Sequence, residues 1–148
     1  METPIESPVA ARDESEGIEQ GSWRIIDSIP APVALLTNTG EVEMANRRLL
    51  EYFGATVEKT SHWQTNDLVH PEDLPHLIEL FTRSIESGVP YESEQRLRRW
   101  DGVYRWFQAS TFPVRDVNGQ IVRWYVVLTD IEERKRTEDA RRANGISS

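Results

Sequence analysis

Residues 118–136 read NGQIVRWYVVLTDIEERKR, and the change of period inside this stretch decides the fold. From Ile121 to Thr129 the residues are mostly β-branched or aromatic, which suits a half-buried pleated strand. From Asp130 onward Ile131-Glu132-Glu133-Arg134-Lys135-Arg136 is the composition of a solvated helix. Asp130 is placed to cap that helix, with Glu133 three residues later as in a capping box, and Asn144-Gly145 to stop it. Along Glu132 to Ala143 only Ala140 and Ala143 are apolar, so the helix lacks the seam of a self-sufficient coiled coil. A strand that feeds such a helix couples a sheet to whatever the helix touches.

Working outward, turn signals at Asp101-Gly102 and at Asp116-Val117-Asn118-Gly119 divide Tyr91–Trp100, Val103–Val114 and Ile121–Thr129 into three antiparallel strands. His70-Pro71-Glu72-Asp73 opens the main helix, Pro75 fits its first turn, and Gly88 suits the left-handed position that ends it. Leu74, Leu77, Ile78, Phe81 and Ile85 recur at helical spacing, giving one apolar stripe to lay on the sheet. Upstream, Val33-Ala34-Leu35-Leu36 and Val42-Glu43-Met44-Ala45 flank the turn Asn38-Thr39-Gly40 as a first hairpin. Asn46 then caps a brief helix to Phe53 that Gly54 closes, and residues 55–69 carry only weak helical signals. Trp23, Ile25, Ile26 and Ile29 share a face of a short first helix ended by Pro30 and Pro32.

Composition narrows the function classes. Met1 to Ser22 hold Glu2, Glu6, Asp13, Glu14, Glu16 and Glu19 against Arg12 alone, a net −5 of the chain's −8, and read as a disordered acidic leader. The remaining −3 leaves no electrostatic footprint for nucleic acid or an anionic membrane. Arg96, Arg98 and Arg99 are read as a solvated strand face with glutamate partners. No apolar run approaches the ~18 residues of a spanning helix and no signal peptide is visible, so a soluble, cytoplasmic chain is expected. The absence of cysteine excludes disulfides, thiolate metal sites and thiol nucleophiles. His62, His70 and His76 are 8 and 6 residues apart, which is not metal-ligand spacing, so no metal is expected. A nucleophile elbow and a phosphate loop are equally absent, so no catalytic residue is assigned and the chain is read as no enzyme.

The order of elements, together with Ile26-Asp27-Ser28-Ile29-Pro30, Asn46, Val69-His70-Pro71-Glu72-Asp73, Asp101-Gly102-Val103-Tyr104-Arg105-Trp106, Pro113-Val114-Arg115-Asp116, Asn118-Gly119 and Asp130-Ile131-Glu132-Glu133-Arg134-Lys135, resembles a PAS domain with its C-terminal PAC segment. The likeness covers roughly Trp23 to Ala140 and is nearest to the versions in bacterial sensor histidine kinases and diguanylate cyclases. It implies an α+β fold, a five-stranded antiparallel sheet with helices packed on one face and flanking helices at both termini. The expected divisions are a leader 1–22, a PAS domain 23–130 with its PAC segment at about 91–130, a signalling helix 131–143 and a tail 144–148. It further implies a sensory or dimerising module with a kinase or cyclase output in cis or trans.

The fold hosts several cofactors and often none, so function is argued from the site. Light-oxygen-voltage relatives grip flavin with a cysteine and with strand amides; the cysteine is absent, and the matching amide positions fall on Leu97, Phe107 and Leu128. Apolar side chains cannot satisfy a buried flavin edge. Haem-binding relatives use a histidine on the long helix, but His76 counts one residue out of register, a rotation of about 100°. No flavin or haem is therefore expected. Trp63, Leu77, Ile78, Phe81, Leu97, Phe107, Trp124, Val126 and Leu128, with Leu35, Phe53 and Ala109, should line the interior, Trp63 and Phe81 as gates. That interior is either a filled core or a pocket for a small apolar or aromatic ligand. By strand parity Tyr104, Trp106, Phe112, Tyr125 and Val127 point away from the helices, and with Trp23 they form a candidate homodimer face. Long arginines such as Arg105 and Arg123 covering isolated aromatics are the plainer account of that face. Asp130 and Ile131 are the candidate signal junction. A ligand-free interaction domain is the main rival, and a small cone-shaped isomerase-like enzyme a remote one.

Overall fold

The computed structural model of the chain describes residues 20–143, with side chains from Arg24 onward. Most of the acidic leader, the Trp23 side chain, the Asn144-Gly145 stop and the 144–148 tail therefore lie outside the described residues. Helix α1 spans Gln20–Ser28, so it starts inside the segment assigned to the leader. Polar residues at the open end of a helix carry no apolar signal, so nothing in the sequence marks that start. The chain continues as β1 (Val33–Thr37), β2 (Val42–Ala45), α2 (Arg47–Phe53), α3 (Val57–Thr60), α4 (Leu74–Ser87), β3 (Tyr91–Arg98), β4 (Tyr104–Arg115), β5 (Ile121–Asp130) and α5 (Glu132–Ala143). The five strands form one antiparallel sheet in the order β2-β1-β5-β4-β3, so β5 lies between β1 and β4. Among the described residues no helix is long and apolar enough to cross a membrane.

Asn46 does more than cap α2. It is fully buried. Its Oδ1 accepts from the N–H groups of Leu49 at 3.1 Å and Val33 at 3.0 Å, while its Nδ2 donates to the carbonyls of Ala31 at 2.8 Å and Ile26 at 3.3 Å. One amide thus ties α1, the entry to β1 and the start of α2. Asp27 adds a second tie, accepting the Arg47 N–H at 2.7 Å.

Helix α4 packs through Leu77, Phe81 and Ser84, with Leu74 half-buried beside them. Ile85 is exposed and Ile78 only half-buried, so the stripe is narrower than the spacing predicts. Both lie about 100° round the helix from the buried row, and small Ser84 lets the helix approach the sheet where a large residue would hold it off. Phe81 closes against the first hairpin. At Gly40, where φ is +99°, a Cβ would stand 2.6 Å from the Phe81 ring, so turn geometry and ring contact both require glycine.

The open edge of β3 is covered by the chain itself. Val69 bridges Leu97, His70 N–H donates to Arg96 O at 2.9 Å, and Arg98 N–H donates to Leu68 O at 2.9 Å. His70 also accepts the Glu72 N–H on Nδ1 at 3.0 Å, which makes it a turn residue as the sequence suggests. Arg96 finds its partner in Asp73: Nε and one terminal amino group bond the two carboxylate oxygens at 2.9 and 2.8 Å. Burial by itself would raise the Asp73 carboxyl, but the Arg96 hydrogen bonds and charge hold it below its ordinary 3.8. A lowered folded value stabilises the fold at higher pH and is lost as pH falls through it. Asp73→Asn is therefore expected to be less stable than the parent at neutral pH and to converge with it in acid, which urea melts across pH will show.

Successive residues of β1 serve opposite faces. Ala34 and Leu36 join the main core under α2, α3 and α4, whereas Val33 and Leu35 join Ile26 and Met44 in a second cluster across the sheet. That cluster corrects two expectations. Leu35 does not face the interior, because a strand buried on both faces offers no alternation from which to read parity. Nor is the outward face left bare, since Tyr125 and Val127 pack on the cluster that α1 covers.

Candidate functional site

A cavity of about 100 Å³ lies between the sheet and the helices. Trp63, Leu77, Phe81, Leu97, Val126 and Leu128 line it, together with Phe53 and Ala109. Ile78, Phe107 and Trp124, also expected there, do not. Phe107 packs edge-on against Tyr52 at 4.9 Å, at one end of the core. Trp124 is fully buried against Phe81, ring centres 5.9 Å apart. The proposed gates are anchored: Trp63 Nε1 donates to Gly40 O at 2.8 Å, and its ring meets Phe81 edge-on at 6.1 Å.

The wall also carries polar groups outside the expected apolar lining, namely Thr60, Tyr91, Gln95 and Thr111. Thr60 donates its hydroxyl to Val57 O at 2.8 Å. Tyr91 and Thr111 pair across β3 and β4; burial pushes the Tyr91 phenol up to about 12, and hydrogen bonding with Thr111 opposes the rise. Gln95 and Ser93 are buried, yet Gln95 Oε1 and Ser93 Oγ have no hydrogen-bond partner. The sequence signal was a second alternation. In YESEQRLR, residues 91–98, every charged side chain occupies an even position, and Tyr91, Ser93, Gln95 and Leu97 share the inward row. No carboxylate or histidine lines the cavity, and the His76 imidazole is exposed and faces Glu79 at 4.0 Å. Among the described residues no group of three or more His, Asp or Glu could hold a metal ion.

The opposite face carries the junction. Trp106 main-chain N–H donates to Glu132 Oε1 at 2.8 Å, and Trp106 O accepts from Ile131 N–H at 2.9 Å. Asp130 Oδ1 accepts the Glu132 N–H at 2.9 Å while Arg105 Nε bonds its Oδ2 at 2.8 Å. Burial raises the Asp130 carboxyl, but Arg105 and the Glu132 amide bring it below its ordinary value. It is thus Glu132, not Glu133, whose carboxylate reaches back, because it pairs with the neighbouring strand instead of closing a capping box. The indole of Trp106 lies under two cations, Arg96 at 4.9 Å and Lys135 at 4.5 Å. Glu94 holds both Arg134 and Lys135.

These contacts correct the view of a free aromatic patch. Trp106 is occupied by α5, Tyr104 donates to Asp67 O at 2.7 Å and meets His70 edge-on at 4.8 Å, and Tyr125 and Val127 are half-buried. Phe112, beside Tyr125 at 5.8 Å, remains exposed. Helix α5 itself buries no residue, and exposed ion pairs contribute at most about 1 kcal/mol each. It is fastened at its start and held lightly along its length.

Comparisons with known proteins agree with this geometry. A family model described as the PAS fold matches residues 42–128. Over 115 residues, 77% of this chain, 34% are identical to peroxide stress-activated histidine kinase mak1 of Schizosaccharomyces pombe, in a match spanning 7% of that kinase. Uncharacterized protein y4lL of Sinorhizobium fredii is 32% identical over 72 residues, 49% of this chain and 9% of that protein. The chain therefore spans less than a tenth of either curated relative. The N-terminal domain of a diguanylate cyclase with PAS/PAC sensor from Marinobacter aquaeolei superposes with a TM-score of 0.61 at 23% identity, covering 71% of this chain and 98% of that one. A sensory box histidine kinase/response regulator from Burkholderia thailandensis does so at 0.61 and 21%, covering 82% and 92%. A fungal kinase among the relatives shows that the likeness is not confined to bacterial proteins. With this sheet order, α2, α3 and α4 over one face and a family match across residues 42–128, the chain belongs to the PAS fold family.

Proposed function

We propose that this chain is a sensory module, dimeric and cytoplasmic, that reports the state of its cavity to a kinase or cyclase output through α5. The observation that carries the reading is β5: its inward residues Val126 and Leu128 line the cavity, and its last residue, Asp130, fastens the helix. A change of packing against Val126 or Leu128 moves the strand that ends at the helix. Weak attachment along α5 suits an element meant to shift, because a small change in free energy redistributes it. In this reading the catalytic work belongs to the output domain, and the cavity presents no carboxylate or histidine that would act as acid or base. This reading gives flavin and haem no part: Leu97 and Leu128 offer no hydrogen bond, His76 is exposed beside Glu79, and ligand pockets for larger molecules run to about 300 Å³ or more.

Asp130→Ala tests the relay. Loss of a cap worth about 1 kcal/mol should speed hydrogen exchange across Glu132–Ala143 about fivefold while leaving β1 and β4 protected. Unchanged exchange in that helix overturns the relay.

A further inference from the structure

Gln95 is out of place in a cavity that merely holds core. It is 3% exposed and lines the space, yet its Oε1 has no partner, and the next residue on the same inward row, Ser93, is likewise unpartnered. A buried amide with an unmade hydrogen bond is worse than an apolar residue of similar shape at that position. Of the other polar groups of the wall, Thr60 donates to Val57 O, and Thr111 stands opposite Tyr91 in the pairing of β3 with β4. One corner of an otherwise apolar space therefore presents a free acceptor.

We infer that the cavity is a site for a small neutral molecule with one hydrogen-bond donor on an apolar body, of the class of phenol, and that Gln95 is the residue that reads the donor. This inference rests on the ligand-sensing reading above and narrows it. The lining contains neither a cation to hold an anion nor a carboxylate to hold an ammonium group, which restricts the ligand to neutral species. Size restricts it further. An apolar cavity of about 150 Å³ admits benzene, so one of about 100 Å³ admits no more than a single ring, with a small shift of its wall. Trp63 and Phe81, meeting edge-on, offer the aromatic surface for that ring.

The test is titration of the full chain with phenol and with benzene, followed by calorimetry, for the parent and for Gln95→Leu. The parent should favour phenol, and the substitution should lower the phenol-to-benzene affinity ratio about tenfold, the worth of one buried hydrogen bond. Gln95→Leu should also melt at a higher temperature without ligand, since it removes the unpartnered amide. If the ratio is the same in both proteins, Gln95 does not read the donor, and this inference falls while the cavity reading stands. If neither compound binds either protein up to its solubility, the ligand-sensing reading falls with it. Should the variant fold poorly, the parent alone decides: the Gln95 side-chain amide resonances shift with phenol and not with benzene, and amide signals that stay still under saturating phenol overturn the assignment.

Discussion

Asn46→Ala is expected to lower the free energy of unfolding by about 2 to 5 kcal/mol, well above the ~1 kcal/mol of an ordinary helix cap. The difference comes from where its bonds go. The Leu49 N–H retains a backbone partner in Asn46 O at 3.1 Å, and the Ile26 carbonyl still receives the Ile29 N–H at 3.1 Å. The Val33 N–H and the Ala31 carbonyl instead lose the side-chain partner that serves each of them, at 3.0 and 2.8 Å. The buried Val33 N–H so left costs about 1 to 3 kcal/mol, and the half-buried Ala31 carbonyl less. Urea denaturation gives the figure directly, and hydrogen exchange should show α1 and β1 loosening together. A loss of 1 kcal/mol or less would reduce Asn46 to a cap and separate α1 from the fold's stability.

Phe81→Ala should be as damaging, by about 3 to 5 kcal/mol, through a different cause. Its ring is 3% exposed and fills the space between Trp63, Trp124 and the Gly40 turn. Removing it enlarges a cavity already present, and the neighbours cannot collapse inward because Trp63 is held to Gly40 O and Trp124 is fixed within the sheet. Phe81→Leu retains most of the volume and should cost about 1 kcal/mol. Equal melting of both variants would mean that the site relaxes freely and that α4 is not rigidly seated.

The sequence made the frame legible because period and punctuation agreed. Asn118-Gly119, Asp101-Gly102 and Gly88 fall where the structure turns or stops, and Gly102 and Gly119 have φ of +90° and +83°. The change of period after Thr129 became the junction of β5 with α5. What remained hidden needed three dimensions. Val33-Ala34-Leu35-Leu36 is apolar throughout, so nothing in it says which alternate residues face the cavity. Asn46 reads as a cap because its local partner, the Leu49 N–H, is three residues on, whereas the distant ones are 13 to 20 residues back. Trp106 looks like half of an exposed patch because its cover comes from Arg96 and Lys135 on other elements. Gln95 is the exception, since its inward row is written in the alternation even though polar residues ordinarily face water.

The position of β5 also sets how this molecule comes to be folded. β1 with β2 and β3 with β4 are hairpins that close locally, but the sheet joins them only through a strand that ends at Asp130. The pairing of Val33 with Val127 spans most of the described chain, so the costliest loop closes around the last strand to be made. Such distant pairing slows folding relative to a fold built from local contacts. Until β5 inserts, the facing edges of β1 and β4 stand open, and a nascent chain that stalls before Ile121 exposes two strands ready to pair with the wrong partner.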